Sequence, residues 1–390
     1  MKEYKMAKGW AIFIYLSVPL LFGLFCMPFI TLMIPAWREE PSFYWFAIPI
    51  SLIMMALCIA GLIDTMIGKV WIDDASIHAK SVFFSRSILL TEIKGFRIDD
   101  KYIYVEPKTK AQKRIKIQKY YGKIDELVEW LNERYPNLDE TDAAQEYQEI
   151  LNDNSFGYSQ TERETAFQRA KKITSILNWT GGVIAAWVIF WPVPYPFAIL
   201  SAIALPLIAL VVLKRANGLI HFDEKNNSAH PSIIVAFLIP ALGLMLRALF
   251  DFHLYDHTKV WLPVLLLGLA FTTVIFMNNK EFELKRGRSL FMAICILIFS
   301  SAYAYGALIC VNCYYDQSNG AVFRTQIVDK NKSGGNTTSY YFEVTPWGTR
   351  TAVEEVEVSR QLYDQLQKGD EVRVLLFKGK FDIPWYVVVR

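Results

Sequence analysis

The sequence predicts an α-helical multi-pass membrane protein with about seven spans and two small soluble β-rich modules. Seven apolar runs predict this fold class, because each has close to the roughly 20 residues that a helix needs to cross a hydrocarbon core. Polar segments with the alternating pattern of short strands separate or follow the runs. The runs cover 10–36, 43–67, 173–191, 197–213, 232–250, 259–277 and 289–312.

The composition excludes a single soluble globule. Of 390 residues, 53% are hydrophobic and 15% aromatic, a balance typical of membrane segments joined to soluble modules. We therefore divide the chain by its apolar runs. The parts are a two-span hairpin (1–68), a β-rich module (69–136), an acidic connector with a juxtamembrane helix (137–172), a five-span block (173–313) and a C-terminal β domain (314–390).

Positive charge in the short polar segments predicts the orientation, since Lys and Arg resist translocation across a membrane. Segments 1–9, 214–231 and 278–289 are rich in Lys and Arg, whereas the turns on the opposite side carry only Arg38 and Lys259. We expect the N-terminus in the cytoplasm. Because the number of spans is odd, we expect the C-terminal tail outside the cytoplasm.

Segment 69–120 contains short alternating runs of β-forming residues separated by polar turns, the pattern of a β meander. A helix with apolar residues at i, i+3, i+4 and i+7 follows from Ile124, and it ends before Pro136. Short strands closed by one helix, together with the stretch LTEIKGF at 90–96, resemble a bacterial pleckstrin-homology-like (PH-like) domain.

This resemblance implies a small β-barrel capped by a helix, which contacts lipid or protein and has no catalytic activity. For the whole chain we expect the inner membrane of a bacterium as the location. Asp73 and Asp74 occupy the first hairpin turn, where lipid-binding eukaryotic relatives carry basic residues. Phosphoinositide recognition is therefore not implied.

A run of cations crosses the second half of this module. One interpretation is contact with anionic lipid, where each cation near the surface contributes about 1 kcal/mol; the other is an ordinary solvated face. Nucleic acid is not expected as a partner, because few aromatic residues interleave with the cations. The candidate membrane-contact residues are Lys108, Lys110, Lys113, Arg114, Lys116, Lys119 and Lys123.

The acidic connector predicts a short amphipathic helix and then a longer one. Thr161 and Glu164 have the spacing of a capping box, in which two side chains bond the free N–H groups of a helix start. The longer helix is expected to continue from there into the third apolar run. A plain structural extension is the favoured interpretation, and an arm that transmits movement is the alternative.

The tail after the last run predicts strands and one helix in the order βββαββ, which indicates a small β-barrel. A polar loop with Gly334 and Gly335 joins its first two strands. The stretch YDQLQKGDEV at 363–372 is similar to small β domains attached to membrane spans in bacterial proteins. That likeness implies no known chemistry.

Cys310 and Cys313 form the one CxxC spacing in the chain. Such a pair is redox-active when it opens a helix whose N-terminus stabilises a thiolate, but here it closes an apolar run. We expect a structural disulfide or two unreactive thiols, not a catalytic pair.

Other ionisable residues have simple explanations. Asp251, His253, Asp256 and His257 share a short loop, and although imidazole and carboxylate suit zinc, a solvated loop is favoured. No metal or other cofactor is predicted. Asp64 and Arg247 lie inside apolar runs near their ends, where snorkelling to the interface is favoured over an ion relay.

These observations predict a membrane scaffold or sensor, and not an enzyme. Its expected partners are the lipid bilayer, anionic lipid on the basic run, and a protein that the sequence does not identify. Two alternatives remain open. One is a transporter or channel formed by the five-span block, and the other is a periplasmic thiol or metal enzyme.

Overall fold

The computed structural model describes residues 2–34, 41–109, 111–223, 227–278, 287–333 and 339–390. The chain divides into two compact units. The N-terminal unit comprises Met1–Gln148 with Lys225–Ala229, and the C-terminal unit comprises Glu149–Glu224 with His230–Arg390.

In its described residues, the N-terminal unit combines a helical hairpin with seven strands. Strand β1 (Lys2–Lys5) precedes two long apolar helices, α1 (Lys8–Met33) and α2 (Pro41–Ile67). Strands β1 to β4 form one antiparallel sheet in that order, and β5 to β7 form a second. The later elements are β2 (Lys69–Ile72), β3 (Ser76–Lys80), β4 (Ser85–Leu89), β5 (Ile93–Ile98), β6 (Tyr102–Pro107), β7 (Ile115–Gln118), α3 (Ile124–Arg134) and α4 (Leu138–Asn152).

Alternation along the strands builds the core of this module, because successive strand residues point to opposite faces. Val70, Ile77, Phe96 and Ile103 are among its buried side chains. Helix α3 adds Leu127 and Leu131, both fully buried. The strands and closing helix predicted between 69 and 136 are therefore present, whereas β1, which completes the first sheet, was not predicted.

The described part of the C-terminal unit contains five long helices and a six-stranded sheet. The sheet is antiparallel and curled, with the order β11-β10-β9-β12-β13-β8. Its elements are α5 (Gln160–Phe190), α6 (Tyr195–Arg215), α7 (Ile234–Asp251), β8 (His253–Leu254), α8 (Thr258–Asn278), α9 (Gly287–Tyr314), β9 (Ala321–Ser333), β10 (Ser339–Val344), β11 (Glu354–Val358), α10 (Arg360–Gln365), β12 (Glu371–Phe377) and β13 (Trp385–Val389).

The predicted order βββαββ is present from β9 to β13, and the loop with Gly334 and Gly335 lies outside the described residues. The sixth strand, β8, comes from the turn between α7 and α8 and was not predicted. Buried Phe342, Val356 and Val374 belong to the core of the sheet.

Seven helices in the described ranges are long and apolar enough to cross a membrane: α1, α2 and α5 to α9. The helices of the N-terminal hairpin and those of the C-terminal unit differ in burial. Helix α1 has no buried residue, whereas α6, α7 and α9 bury one apolar side against each other, with Ala202, Leu244 and Ile309 in the shared core. Seven apolar helices and a curled C-terminal sheet agree with a multi-pass membrane protein.

The start of α5 corrects one sequence prediction. The capping box consists of Ser159 and Glu162, two residues before the predicted pair Thr161 and Glu164. The Ser159 hydroxyl accepts a hydrogen bond from the Glu162 N–H group at 3.2 Å, and the Glu162 carboxylate accepts from the Ser159 N–H group at 3.4 Å. From there α5 continues without a break into the third apolar run, as predicted.

Candidate membrane and partner surfaces

Strand β1 joins both ends of the helical hairpin to the β module. It pairs with β2 so that Lys5 lies opposite Lys69. Beyond β1, the Ala7 N–H group donates to the Tyr120 carbonyl at 2.9 Å, and the Gly122 N–H group donates to the Lys5 carbonyl at 2.7 Å. The start of α1 and the end of α2 therefore meet at one edge of the module, which we call the hairpin edge.

Charged side chains reinforce the hairpin edge. The Glu3 carboxylate lies 2.8 Å from the Lys69 ammonium and 3.2 Å from that of Lys5. Asp64, near the end of α2, accepts a hydrogen bond from the Val82 N–H group at 2.9 Å. The sequence favoured snorkelling for Asp64, but the structure uses this carboxylate to hold the turn between β3 and β4.

That turn presents an aromatic side chain beside the end of α2. Phe83 is 72% exposed and follows Val82, the residue bonded to Asp64. Exposed Phe, Trp and Leu side chains of interfacial segments enter the boundary between the headgroups and the acyl chains. The position of Phe83 therefore suits an interfacial anchor.

The candidate cations are spread along the module instead of sharing one face. Lys119 and Lys123 flank the segment that bonds to β1 at the hairpin edge. The Lys108 ammonium donates to the Thr91 carbonyl at 2.7 Å, in the 3-10 turn that follows β4. The β3–β4 turn precedes β4, so Lys108 and that turn lie at opposite ends of this strand. Lys113 is exposed just before β7, and Lys110 lies outside the described residues.

The other two candidate cations cover tyrosines on the outer face of β6 and β7. The Lys116 ammonium lies 3.5 Å from the ring centroid of Tyr102. The Arg114 guanidinium lies 4.3 Å from that of Tyr104 and 3.2 Å from the Glu106 carboxylate. Cation–π contacts at exposed sites contribute about 0.5–1 kcal/mol each. This face is a basic and aromatic surface, and we call it the β6–β7 face.

Helix α4 is fastened to β5 by one arginine. The Arg97 guanidinium lies 2.7 Å from the Asp139 carboxylate and 2.6 Å from that of Asp142. Burial alone would raise the pKa of Asp142, but the hydrogen bond and charge of Arg97, together with weaker effects of Asn227 and Lys94, hold this pKa below its usual value. One helical turn further on, Glu146 accepts a hydrogen bond from the Ser228 hydroxyl at 2.7 Å.

Arg247 has a structural role in the helix bundle. Its guanidinium donates to the carbonyls of Val188, at 2.6 Å, and Ile189, which are free because α5 ends at Phe190. It also bonds the Asp251 carboxylate at 3.1 Å, which accepts a second hydrogen bond from the Tyr195 hydroxyl at 2.9 Å. These contacts favour a structural role for Arg247 over an ion relay, and its snorkelling to the interface stays a prediction.

The loop from Asp251 to His257 does not gather a metal site. Asp251 bonds Arg247, and Asp256 accepts hydrogen bonds from the N–H and hydroxyl groups of Thr258 at 2.8 and 2.6 Å. His253 is half-buried in β8 instead of solvated. In the part of the chain that the structure describes, no group of three or more His, Cys, Asp or Glu side chains could hold a metal ion.

Cys310 and Cys313 are free thiols, and both are buried in the bundle. Both lie inside α9, close to its end. Residues three apart on a helix have Cβ atoms roughly 5–6 Å apart, whereas a disulfide needs about 3.8 Å. A bridge between them would therefore distort the last turns of α9.

Two polar side chains at the end of α9 hold the C-terminal sheet against the bundle. The Asn312 amide donates to the Ile383 carbonyl at 2.9 Å and accepts from the Phe381 N–H group at 2.8 Å. The Asp316 carboxylate accepts from the Trp385 indole N–H group at 2.9 Å. Sequence reasoning missed both residues, because their partners lie far away along the chain.

A comparison with protein-family models finds no match for this chain, and comparisons with curated proteins and with solved structures find none either. Functional inference therefore depends on the residues and surfaces described above.

Proposed function

We propose that this protein is a scaffold or sensor of the bacterial inner membrane. In this proposal the N-terminal β module is a PH-like domain that lies in the cytoplasm, contacts the inner leaflet and binds a protein partner through the β6–β7 face. The C-terminal sheet lies on the opposite side of the membrane. No catalysis is part of the proposal.

The pairing of β1 with β2 is the observation that carries it. Chain segments on both sides of a two-helix hairpin form adjacent strands of one sheet. With α1 and α2 in a bilayer, the hairpin edge, including Phe83, Lys119 and Lys123, lies at the headgroup layer. Such tethering removes most of the entropic cost of membrane contact. Seven strands closed by α3 also agree with the barrel and helix that the PH-like resemblance implies.

The orientation is supported by charge within the C-terminal unit. Lys171 and Lys172 lie in α5 just before its apolar part, and Lys214 and Arg215 lie at the end of α6. The sheet attaches at the other ends of the helices, through β8 and the end of α9. A cytoplasmic position for the basic end follows the preference of Lys and Arg for that side.

The packing of the bundle favours a scaffold over a transporter. Apolar side chains of α5 to α9 form its core, and a cavity of about 60 Å³ between α7 and α9 has an apolar lining that includes Phe237 and Phe299. Apolar cavities of this kind stay dry. Arg247 is committed to neighbouring groups, so it is not an open site for an ion.

Membrane contact can be tested with matched lysine replacements. A fluorophore would be placed on Lys123→Cys, at the hairpin edge, or on Lys108→Cys, at the other end of the module, in full-length protein in nanodiscs that contain phosphatidylglycerol. We expect a headgroup nitroxide lipid to quench the label at 123 much more strongly than the label at 108. Equal quenching at both positions would contradict the proposed contact.

Partner binding can be tested by photocrosslinking in native membranes. A photoreactive residue would replace Tyr102 on the β6–β7 face, with lipid-exposed Leu20 on α1 as the control position. We expect the photoreactive residue at Tyr102 to capture the same protein in repeated experiments, and the residue at Leu20 not to capture it. Lys116→Glu should abolish the capture at Tyr102. If no protein is captured at Tyr102 and the purified protein conducts solute in proteoliposomes, the transporter alternative is favoured.

A further inference from the structure

A groove of about 420 Å³ lies in the C-terminal unit between the start of α5 and the end of α6. Small side chains, Ala166 and Ala170 on α5, leave room for it, and Ile173 and Val212 continue its apolar wall. Arg169 and Arg215 line the groove from opposite helices. Its volume falls within the roughly 300–1,000 Å³ of small-molecule sites.

The two arginines differ from Arg163, the third arginine of these helices. Arg163, on the same helix as Arg169, is committed to Asn154 and Gly157 at 2.7 and 3.0 Å. Within the described residues, the side chains of Arg169 and Arg215 are exposed and have no hydrogen bond or ion pair. Two guanidinium groups without a hydrogen bond or ion pair in the described structure favour a bound anion, and their fork of N–H donors matches a phosphate.

The apolar wall indicates what kind of anion fits. From Ile173 the groove adjoins the lipid-exposed surface of α5, and from Val212 that of α6, where Ile176 and Val211 are exposed. A free phosphate would gain nothing from this wall. A molecule with a phosphate at one end and hydrocarbon at the other would use both parts of the groove.

We propose that this groove binds one anionic glycerophospholipid, with its phosphate between Arg169 and Arg215 and an acyl chain along Ile173 and Val212. The residues that line the site all belong to the C-terminal unit. It rests on the proposed membrane embedding, because lipid reaches the groove from the bilayer. It also deepens the proposed function, since a lipid here would join α5 to α6.

The test compares two double variants of the full-length protein in detergent. Arg169→Gln with Arg215→Gln removes the groove cations. Lys172→Gln with Lys214→Gln removes the same charge from the same helix ends, at residues that do not line the groove. Native mass spectrometry would count retained phosphatidylglycerol, with phosphatidylcholine and inorganic phosphate as separate probes. Unchanged thermal unfolding without added lipid would show that each variant folds.

We expect the arginine variant to bind phosphatidylglycerol about tenfold more weakly, which corresponds to about 1.4 kcal/mol, and the lysine variant to bind as the wild type. Ala166→Leu, which fills the groove without changing charge, should also weaken binding. Equal loss in both double variants, equal retention of phosphatidylcholine, or full competition by inorganic phosphate would overturn the proposal. Carbonate extraction separates the two failures: an extractable protein overturns membrane embedding, whereas an integral protein without lipid preference overturns the groove alone.

Discussion

Lys5 in β1 lies directly opposite Lys69 in β2, although two long apolar helices separate them along the chain. Like charges in directly opposed positions destabilise a sheet, but the Glu3 carboxylate lies within 3.2 Å of both ammonium groups. The pairing closes the helical hairpin and the sheet into one structure. Loss of β1 should therefore loosen both.

Tyr4 is the buried side chain of β1, so it gives the most direct test of this closure. We expect Tyr4→Ala to destabilise the module by about 3–5 kcal/mol, as removal of a buried aromatic ring does. Tyr4→Phe should cost little, because the Tyr4 hydroxyl is buried without a hydrogen-bond partner in the described structure. Hydrogen–deuterium exchange of β2 and β7 measures the difference. Slow exchange in both variants would show that β1 is dispensable.

His253 should make the attachment of β8 sensitive to pH. Burial lowers the pKa of His253 below its ordinary value of 6.5, and the charge of Glu357 offsets only part of this effect. As the pH falls below about 6.5, the unfolded chain takes up a proton that the folded chain resists, so stability is present above that pH and decreases below it.

The measurement is thermal unfolding of the detergent-solubilised protein at pH 7.5 and pH 5.5. We expect His253→Asn to reduce the difference between the two midpoints. His257→Asn is the matched control, because His257 is exposed in the same loop. An equal effect of both substitutions would assign the pH dependence to general loop charge.

Arg247 should matter for the stability of the bundle. Arg247→Ala leaves the carbonyl of buried Val188 without its Arg247 partner and removes the ion pair of Asp251. An unsatisfied buried group costs about 1–3 kcal/mol. Arg247→Lys keeps the charge but cannot reach two carbonyls and a carboxylate together, so it should rescue only part of the loss. Thermal unfolding in detergent tests this. A stable Arg247→Ala protein that loses ion flux in proteoliposomes would instead support a relay.

The long elements of this fold could be predicted from the sequence because each carries a strong periodic signal. Helices α1, α2 and α5 to α9 follow from the length of apolar runs that a bilayer requires. Strands β2 to β7 follow from alternating side chains around residues such as Val70 and Ile77. Such signals are local and need no knowledge of the partner element.

The short strands and polar contacts could not be predicted in the same way. Strand β1 contains one buried side chain, Tyr4, among charged residues, and β8 has two residues. Neither strand is long enough to show an alternating pattern of apolar residues. Each forms only by pairing with a strand that is distant in the chain. Arg247 and Asn312 present the same problem, since the carbonyl groups that fix their roles belong to other elements.

The proposed topology predicts opposite accessibility at two exposed positions of the C-terminal unit. Tyr158, 97% exposed, lies before α5, and Val353, 49% exposed, lies after α9. Five apolar helices separate them, so in a membrane the two positions lie on opposite sides. We expect a membrane-impermeant maleimide to label Val353→Cys in intact spheroplasts and Tyr158→Cys only after permeabilisation. The wild-type protein is the control, because each of its five cysteines lies within an apolar helix. Labelling of both variants in intact spheroplasts would mean an even number of crossings between them, and the reverse pattern would invert the orientation while keeping the fold.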